Sequence, residues 1–597
     1  MRWLFLLLLW PATAQAAWDN YELIIWQDQS PERLAVLKQA GFTAGKVNSN
    51  RGVDLRALAA QRAAGMPYFI ENAATDFYAP YHRYTAGKTV TWLFDAAKAA
   101  LRQNLGSTAP FVREPSLEDP AWRERVTARL TDLVQTSQGD RPLYYVLGDE
   151  TGIGDLAAAW DADVSPASMA AFQRWLGTQY ADVAALNAQW GTRYATWGAV
   201  QPELTQAALA RTDGNYSAWS DFKAFMDVSF ADAVRMGTAA VHRGGPGALA
   251  AIEGAQIPGW GGYDYGVLAP TVDVMEIYDA GQALAIARSV NPALISLRTS
   301  FGAGAAERHA AWGAFLHGVR GTIVWDDDGS IVATDGGPSP RARALGAQTA
   351  EFQALAPLFW AAKPAPSGVV VLASQASFRL RWLLDRRVGG AWYDRDAERE
   401  NEGNAWRAAR EQVAERLAAL GVTPRWLTSL DAGVPADTAT IVLPQMLALS
   451  DRDVALLATV PTVLVDTEPG AFDGRGRQRA HPLPMAVPLA MRPTFGSASA
   501  QDLDALRAVL GVPVAVRATE ADGTTAAGIV IQLFDHPDGT LLAVQTAAPG
   551  LVARAITVHL PEARTVRDVR SGAGLGRAAQ LDIRLDPIDP TILLLQP

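Results

Sequence analysis

Residues 143–150 read LYYVLGDE, a short apolar run that ends in Gly-Asp-Glu. A run of this length and composition is typical of a strand that is buried on both faces, as in a parallel sheet. Seven further runs of this kind lie between Tyr21 and about Trp360, and amphipathic helical segments separate them. The alternation predicts βα units around a parallel sheet, and eight such units predict a (β/α)8 TIM barrel.

Polar and aromatic side chains gather where the later strands of this predicted barrel end. We predict strands over residues 21–26, 43–47, 68–70, 143–147, 248–252, 272–275, 294–297 and 321–324. The residues that follow strands four to eight are Asp149 and Glu150, then Glu253, then Glu276, then Arg298 and Thr299, then Trp325 and Asp326. Because active sites in this fold lie at the C-terminal ends of the strands, these side chains are the candidates for function.

Two further domains are predicted after the barrel, which we place at residues 17–362. Strands at 368–372, 440–443 and 462–465 alternate with helices, so residues 363–495 are predicted to form a smaller open α/β domain. Residues 496–597 contain a short helix and then several β-rich segments, which predict a C-terminal antiparallel β-sandwich.

The first sixteen residues have the pattern of a secretory signal peptide. Arg2 supplies the positive charge, residues 3–10 are apolar, and Ala14-Gln15-Ala16 forms a small-x-small cleavage site. The apolar run is far shorter than the ~20 residues that span a bilayer, so a membrane anchor is disfavoured. We therefore expect cleavage after Ala16, a periplasmic or secreted protein, and no membrane association after cleavage.

The composition excludes several classes of function. The chain contains no cysteine, which excludes disulfides and Cys-ligated metal sites. Its net charge is -10 without long charged runs, which disfavours a nucleic-acid partner. The seven histidines are scattered and no phosphate-binding or dinucleotide motif is present, so we expect neither a metal nor an organic cofactor. Nineteen tryptophans are many, and they suit a protein that stacks sugar rings on aromatic faces.

Glu150 is the strongest candidate for catalysis, because it stands at the predicted mouth of strand four beside Gly148, Gly152 and Gly154. Hydrolysis of a glycoside needs one carboxyl group that protonates the leaving oxygen and a second that acts as nucleophile or base. The structural alternative is that Glu150 caps a helix or pairs with an arginine.

Several other residues are candidates for binding a sugar. Trp260 and Tyr263 lie in the Gly-rich segment 257–265 after strand five, where a substrate loop is plausible. Arg298 either binds an acidic group on a sugar or neutralises a neighbouring glutamate. For each aromatic residue the alternative is packing in the barrel or at an interface.

A segment after Glu150 resembles family 42 β-galactosidases. It has the pattern F-x-x-W-L, then Y, then L-N-x-x-W-G-T, then W, in Phe172, Trp175, Leu176, Tyr180, Leu186, Asn187, Trp190, Gly191, Thr192 and Trp197. Residues 311–318 resemble the last barrel unit of that family, and residues 374–377 and 441–450 resemble its amidotransferase-like trimerisation domain. The resemblance implies that Glu150 is the general acid/base, that Trp325 stacks a sugar, and that the protein is a homotrimer.

The sequence departs from that family at two positions. The family has Asn immediately before the acid/base Glu, where its amide bonds the sugar 2-hydroxyl, whereas this chain has Asp149. The family's nucleophile is a Glu at the end of strand seven, where this chain has Arg298 and Thr299. Glu276, and after it Glu253, are the substitutes that we favour, with Asp326–Asp328 as a further acidic group, because carboxylates at the ends of apolar strands are uncommon without a purpose.

Three functional hypotheses follow. The first is an exported glycoside hydrolase of the β-galactosidase-like kind, which uses Glu150 and either Glu276 or Glu253 on a carbohydrate substrate. The second is a non-catalytic carbohydrate-binding protein on a decayed glycosidase barrel. The third is a polysaccharide lyase in which Tyr278 or Tyr263 acts as the base. The retained strand-end glutamates favour the first hypothesis over the second.

Overall fold

The computed structural model describes residues 18–49, 52–74, 77–81, 92–278, 281–388, 391–401, 404–481, 483, 487–488 and 498–597. The predicted signal peptide, residues 1–16, and the predicted domain boundary at 495/496 lie outside these residues. Among the helices that are described, none is both long enough and apolar enough to cross a membrane.

The first sheet is the predicted barrel. Its strands are β1 (Glu22–Ile25), β2 (Gly45–Asn48), β3 (Tyr68–Glu71), β4 (Tyr145–Asp149), β5 (Ala250–Ala255), β6 (Val274–Ile277), β7 (Ile295–Ser300) and β8 (Gly321–Val324). All of them pair in parallel, in the order β1-β8-β7-β6-β5-β4-β3-β2, and a parallel bridge between Ile24 and Ala44 joins β1 to the segment that leads into β2. The (β/α)8 architecture predicted from the sequence is confirmed.

Helices surround this sheet between its strands. They are α1 (Pro31–Gln39), α2 (Leu55–Ala64), α3 (Trp92–Gln103), α4 (Pro120–Ser137), α5 (Pro166–Gln179), α6 (Val183–Trp190), α7 (Thr205–Ala210), α8 (Ser217–Gly244), α9 (Tyr265–Leu268), α10 (Ala283–Val290), α11 (Gly304–Leu316) and α12 (Pro340–Ala361). Four of them begin with Ser or Asp followed by Pro, and in each the cap side chain accepts a hydrogen bond from a first-turn amide. Such starts favour a helix because the cap satisfies a free N–H and proline fits the first turn.

Six strands, β2 to β7, continue further than the apolar pattern indicated. β3 includes Glu71, β5 runs through Glu253 to Ala255, and β7 runs to Ser300. The apolar pattern predicted that these strands end at their last apolar residue. Backbone pairing with the neighbouring strands instead extends through the polar residues that follow. These polar side chains are therefore held by rigid strands and not by loops.

The second domain contains a five-stranded parallel sheet, which confirms the predicted open α/β fold and adds β11 and β14 to the three predicted strands. A short strand, β9 (Lys363–Pro364), precedes it, and the sheet consists of β10 (Val369–Leu372), β11 (Arg425–Leu427), β12 (Thr440–Leu443), β13 (Thr462–Val465) and β14 (Val487–Pro488) in the order β11-β10-β12-β13-β14. Its helices are α13 (Gln375–Arg386), α14 (Ala397–Asn401), α15 (Ala405–Ala419) and α16 (Asp451–Leu457).

The C-terminal part begins with α17 (Ala500–Val509) and is otherwise antiparallel. Its strands are β15 (Arg517–Thr519), β16 (Ile529–His536), β17 (Gly539–Thr546), β18 (Arg554–Asp568), β19 (Gly574–Leu585) and β20 (Thr591–Gln596). They form one hydrogen-bonded sheet together with β9, and the long strand β18 has a register shift between His559 and Arg564. Such irregularities bend a strand, which lets one sheet enclose an apolar core.

Candidate active site

Five carboxyl groups meet at the C-terminal ends of strands β3 to β6. We call them the acidic cluster, which consists of Glu71 on β3, Asp149 and Glu150 at the end of β4, Glu253 on β5 and Glu276 on β6. Asp149 and Glu253 are directly paired across β4 and β5. The structure therefore brings together Glu150, Glu253 and Glu276, which the sequence singled out as catalytic candidates.

Gly254 is the centre of this arrangement. Its backbone is left-handed, with φ of +60°, and a Cβ atom at this position would lie 2.6 Å from Cγ of Glu150 and 2.9 Å from Oδ1 of Asp149. Its amide donates a hydrogen bond of 2.5 Å to Oε2 of Glu276. Only glycine suits both the conformation and the space, so this residue lets the carboxyl groups of Glu150 and Glu276 approach one backbone unit from two sides.

Glu150 itself has an unusual backbone. Its φ is +43°, in the left-handed region that non-glycine residues rarely adopt, and its amide donates to the carbonyl oxygen of Glu253 at 3.0 Å. The Tyr278 hydroxyl donates to Oε1 of Glu150 at 3.4 Å. Strained conformations of this kind persist where the surrounding structure holds them, and they concentrate at functional sites.

Glu276 is almost fully buried, with 4% of its surface exposed. Burial is the main cause that raises the pKa of its carboxyl group to about 8, and the negative charges of Glu150 and Glu71 raise it further. The Gly254 amide and the Arg298 guanidinium lower the pKa of Glu276, but by less than burial raises it. In this environment Glu276 carries a proton at neutral pH, unlike an ordinary glutamate.

Glu253 and Glu71 form a carboxyl pair beneath the mouth of the barrel. Burial raises the pKa of both groups, well above the usual range for Glu253, and each lies within hydrogen-bond reach of the other. The Tyr144 hydroxyl donates to Oε1 of Glu253 at 3.0 Å. Two buried carboxyl groups at this spacing cannot both ionise, so they share a proton.

Asp149 is half-buried at the end of β4 and faces the same site. Its enclosed position raises the pKa of its carboxyl group well above the usual range, and the negative charges of Glu71, Glu150 and Glu276 add to that effect. The charged neighbours that raise the pKa of Asp149 are thus all carboxyl groups of the acidic cluster.

Two cations lie near the cluster, and both already have partners. Arg298 forms an ion pair of 2.7 Å with Glu307 on α11. Lys46 on β2 lies 3.9 Å from Asp28 and 3.5 Å from the centre of the Trp26 ring. From the sequence, Arg298 could either bind an acidic sugar or neutralise a neighbouring glutamate. In the structure its direct partner is a glutamate, Glu307, which was not predicted.

Aromatic side chains line the rim of the site. The rings of Trp26 and Trp325 are 4.5 Å apart at the ends of β1 and β8, and both are partly exposed. After the neighbouring strands β6 and β7, Tyr278 contacts Phe301 with ring centres 5.8 Å apart, and Phe301 is 60% exposed. Exposed aromatic faces of this kind can stack on the C–H surface of a sugar ring.

Three residues that the sequence offered as substrate contacts lie in the protein interior. Trp260 is buried and packs on Phe378 of the second domain, with ring centres 4.9 Å apart. The Tyr263 hydroxyl donates to the carbonyl oxygen of Thr151 at 2.8 Å. Asp326 is buried and accepts from the Ile331 amide at 3.1 Å, which holds the loop after β8. Their contacts are those of packing and loop residues.

Sequence reasoning missed Glu71, Lys46 and Trp26. Glu71 directly follows the predicted third strand, and Lys46 is a charged residue inside the second, so both carried a signal of polar residues in an apolar strand. Trp26 is the last residue of the predicted first strand, and its position beside Trp325 follows only from the pairing of β1 with β8.

The segment that carries the family resemblance is a structural element. The Asn187 side chain donates to the carbonyl oxygen of Tyr194 and accepts from Thr192 and from the Tyr194 amide, each at 2.8 Å. The Trp190 ring N–H donates to Asp221 at 2.8 Å. These bonds fix the turn that follows α6, so the similarity in this segment reflects the fold.

The structure also bears on other chemistries. Among the described residues, no group of three or more His, Cys, Asp or Glu side chains is arranged to hold a metal ion. No residue of β7 carries a carboxyl group, whereas β6, the strand before it, carries Glu276. The site can therefore offer two carboxyl groups in different environments, Glu150 and Glu276.

Comparison with known proteins agrees with the resemblance seen in the sequence. A family model described as β-galactosidase, glycoside hydrolase family 42, matches residues 120–284. No curated protein matches the chain in sequence.

Solved structures match nearly the whole chain. A β-galactosidase from Bacillus circulans sp. alkalophilus has 13% identity and a TM-score of 0.65, with 97% of this chain and 99% of that chain covered. A family 42 β-galactosidase from G. stearothermophilus has 12% identity and a TM-score of 0.65, with 97% and 98% covered. A family 42 exo-carrageenase from Bacteroides ovatus has 13% identity and a TM-score of 0.58, with 96% and 80% covered. The chain thus has the fold of the family 42 β-galactosidases over almost its whole length and resembles that family in sequence over residues 120–284.

Proposed function

We propose that this protein is an exported glycoside hydrolase that cleaves a β-glycosidic bond, with Glu150 as general acid/base and Glu276 as the second carboxyl group. The observation that carries the proposal is the position of Gly254, which contacts both carboxyl-bearing side chains at the mouth of the barrel. The similarity to proteins named β-galactosidases supports a β-glycoside as the substrate.

In this mechanism Glu150 gives its proton to the oxygen of the leaving group. Tyr278, which donates to Oε1 of Glu150, orients that carboxyl group. Glu276 in its ionised form then either attacks the anomeric carbon or takes a proton from the attacking water. In the first case water later releases the sugar from Glu276, and Glu150 acts as the base in that step.

Glu276 is a better second carboxyl group than Glu253. The charge of Glu150 is among the causes that raise the pKa of Glu276, whereas the neighbours that affect Glu253 are Glu71, Glu276 and Asp149. Glu253 is also held by Tyr144 below the mouth. We therefore assign Glu253 a supporting role.

The rim supplies the binding surface in this proposal. Trp325 and Trp26 form a partly exposed aromatic pair that stacks a sugar ring, and Phe301 with Tyr278 borders the site after the next two strands, β7 and β6. We propose in addition that residues 1–16 direct export to the periplasm or medium, and that the second domain mediates a homotrimer.

The experiment is hydrolysis of a panel of aryl β-glycosides and oligosaccharides by the wild type and by three variants. We expect Glu150→Gln and Glu276→Gln each to lower kcat/KM by roughly 10²–10⁴-fold, the contribution usual for such groups. Glu562→Gln is the matched control, since its side chain is 64% exposed and far from the barrel strands in sequence. Turnover that is unchanged in both site variants would refute the assignment. Sugar binding without turnover by the wild type would instead favour a carbohydrate-binding protein.

A further inference from the structure

We infer that the sugar bound next to Glu150 is a 2-amino-2-deoxy sugar with a free, positively charged amino group, and that Asp149 binds this group. The inference rests on the proposed function, because it concerns the sugar whose glycosidic bond Glu150 would protonate. It goes beyond that function by naming the chemical class of the substrate.

The first support is the balance of charge at the mouth. The acidic cluster contributes five carboxyl groups, and the pKa of four of them is raised, so protons on these groups take the place of cations that the site lacks. The two nearby cations are already engaged, Arg298 with Glu307 at 2.7 Å and Lys46 with Asp28 and Trp26. A neutral sugar would leave this imbalance as it is. A cationic sugar would compensate it, because an opposite charge within a few ångströms stabilises a carboxylate.

The second support is a set of buried oxygens without donors. Apart from the proton that Glu71 and Glu253 share, neither oxygen of Glu71 nor Oε2 of Glu253 accepts a hydrogen bond from a described residue, and these side chains are 0% and 1% exposed. Buried polar atoms are nearly always satisfied in native proteins. Acceptors that the protein does not satisfy at this site indicate a ligand that brings donors and positive charge.

The position of Asp149 selects the part of the sugar that carries the charge. Asp149 precedes Glu150 in the chain, and both side chains border Gly254. Glu150 acts on the oxygen attached to C1, and the two ring atoms bonded to C1 are the ring oxygen and C2. The ring oxygen has no hydrogen to donate, whereas the substituent on C2 does. A carboxylate accepts hydrogen bonds only, so it suits an ammonium group, which has three donors.

A cationic sugar would also favour the ionised form of Glu276, the second carboxyl group. In the protein by itself burial raises the pKa of Glu276 to about 8, and the pKa of Asp149 also lies above its usual range. A positive charge beside them lowers both values, so binding of an amino sugar would ionise Glu276 near neutral pH. Ionised Glu276 is the form that attacks carbon or activates water in the proposed mechanism. The substrate would thus supply a charge that the protein lacks.

The test compares aryl β-glycosides that differ only at C2, with a hydroxyl, a free amino or an acetamido group, in both the galacto and the gluco configuration. We expect the free amino substrate to have a kcat/KM at least about 10-fold above that of its hydroxyl and acetamido counterparts, since hydrogen bonds to charged groups exceed neutral ones in strength. Asp149→Asn, which keeps the shape and removes the charge, should lower kcat/KM for the amino substrate and reduce the preference to about 3-fold or less.

A binding measurement separates this inference from the proposed function. We would titrate Glu150→Gln with glucosamine and galactosamine, and with glucose, galactose and their N-acetylated amino derivatives, by calorimetry. We expect at least about 10-fold tighter binding of the free amines, lost when Asp149→Asn is added. Thermal unfolding of each variant verifies that it is folded.

The outcomes differ for the two claims. Hydrolysis of hydroxyl glycosides without a preference for the amines would overturn the amino-sugar inference and leave the hydrolase standing. Selective binding of the amines through Asp149 without turnover of any substrate would support the inference and overturn the hydrolase. Neither binding nor turnover would overturn both.

Discussion

The backbone amide of Gly254 donates a hydrogen bond of 2.5 Å to Oε2 of Glu276. The donor lies in β5 at the register shift between Ile252 and Ala255, where the strand departs from regular pairing with β6, and it bonds to one oxygen of the carboxyl group on β6. This bond favours the charged form of Glu276 while burial disfavours it, and burial has the larger effect. Gly254 also lies against the side chain of Glu150, so it contacts both of the groups to which we assign the chemistry.

Gly254→Ala should therefore reduce activity and stability together. The new Cβ would lie 2.6 Å from Cγ of Glu150, and alanine is strained at a φ of +60°. We expect kcat/KM to fall by roughly 10²-fold or more, because misplacement by about 1 Å is costly in catalysis. Gly572→Ala is the matched control, since Gly572 has a φ of +74° and no atom within 4 Å of its added Cβ. Equal losses in the two variants would mean that backbone strain alone explains the effect.

The pH dependence of activity tests the role of Glu276. Its pKa is raised to about 8 in the free protein, and the proposed mechanism requires the ionised form. We expect kcat/KM for a neutral aryl glycoside whose phenol leaves without protonation to rise as the pH increases through about 8, since this parameter reports the ionisation of the free enzyme and such a substrate does not need the proton of Glu150. A decrease over the same range would contradict our assignment and would make Glu276 the acid.

The stability of the fold should depend on pH through the same group. The pKa of Glu276 is about 8 in the folded state against 4.5 for an ordinary glutamate, so its contribution to stability is fully present below pH 4.5. That contribution is lost as the pH rises through about 8, because the unfolded chain releases the proton more readily. Glu276→Gln should remove this loss.

Between pH 5 and pH 9 we expect the Glu276→Gln variant to gain at least about 1 kcal/mol relative to the wild type, the worth of less than one pKa unit. The measurement is the midpoint of thermal unfolding at each pH. Glu562→Gln, an exposed substitution, should follow the wild type. A constant difference between Glu276→Gln and the wild type at all pH values would show that Glu276 does not titrate in this range.

The fold was predictable because it depends on patterns that are local in the sequence. The apolar run before Asp149 and the Ser-Pro start at Ser30 each specify an element without knowledge of its partners. The extents of β5 and β7 were not predictable, because pairing with neighbouring strands continues through polar residues such as Glu253 and Arg298. Apolar periodicity gives no signal there.

The site was predictable only in part, for the same physical reason. Glu150, Glu253 and Glu276 follow or end apolar strands, and a barrel brings such residues together. Trp260 and Tyr263 also follow a strand, but their loop packs against Phe378 of the second domain and against Thr151. Which surface a glycine-rich loop meets depends on the rest of the chain, so its sequence alone does not separate a packing loop from a substrate loop.

Tyr278 is predicted to orient Glu150. Tyr278→Phe removes a hydrogen bond to Oε1 of Glu150, and we expect kcat/KM to fall by about 10-fold, in line with the loss of one such bond. Tyr263→Phe is the control, because its hydroxyl donates to the carbonyl oxygen of Thr151 in the interior. That variant should lower the midpoint of unfolding, and its kcat/KM should fall by less than that of Tyr278→Phe. Equal kinetic losses in both variants would argue against a specific role for Tyr278.

The two kinds of tryptophan around the barrel should behave differently. Trp325 is partly exposed and pairs with Trp26 at the rim, so Trp325→Ala should raise KM by about 10-fold or more and change the midpoint of unfolding little. Trp260 is 4% exposed and packs between the barrel and the second domain, so Trp260→Ala should destabilise the protein by about 3–5 kcal/mol.

Steady-state kinetics and thermal unfolding on the same preparations distinguish the two effects, since one tryptophan would act on the substrate and the other on the fold. A large loss of stability in Trp325→Ala would mean that the rim pair with Trp26 is part of the core. In that case the sugar would have to bind on Phe301 and Tyr278, an aromatic pair that lies beside Glu150.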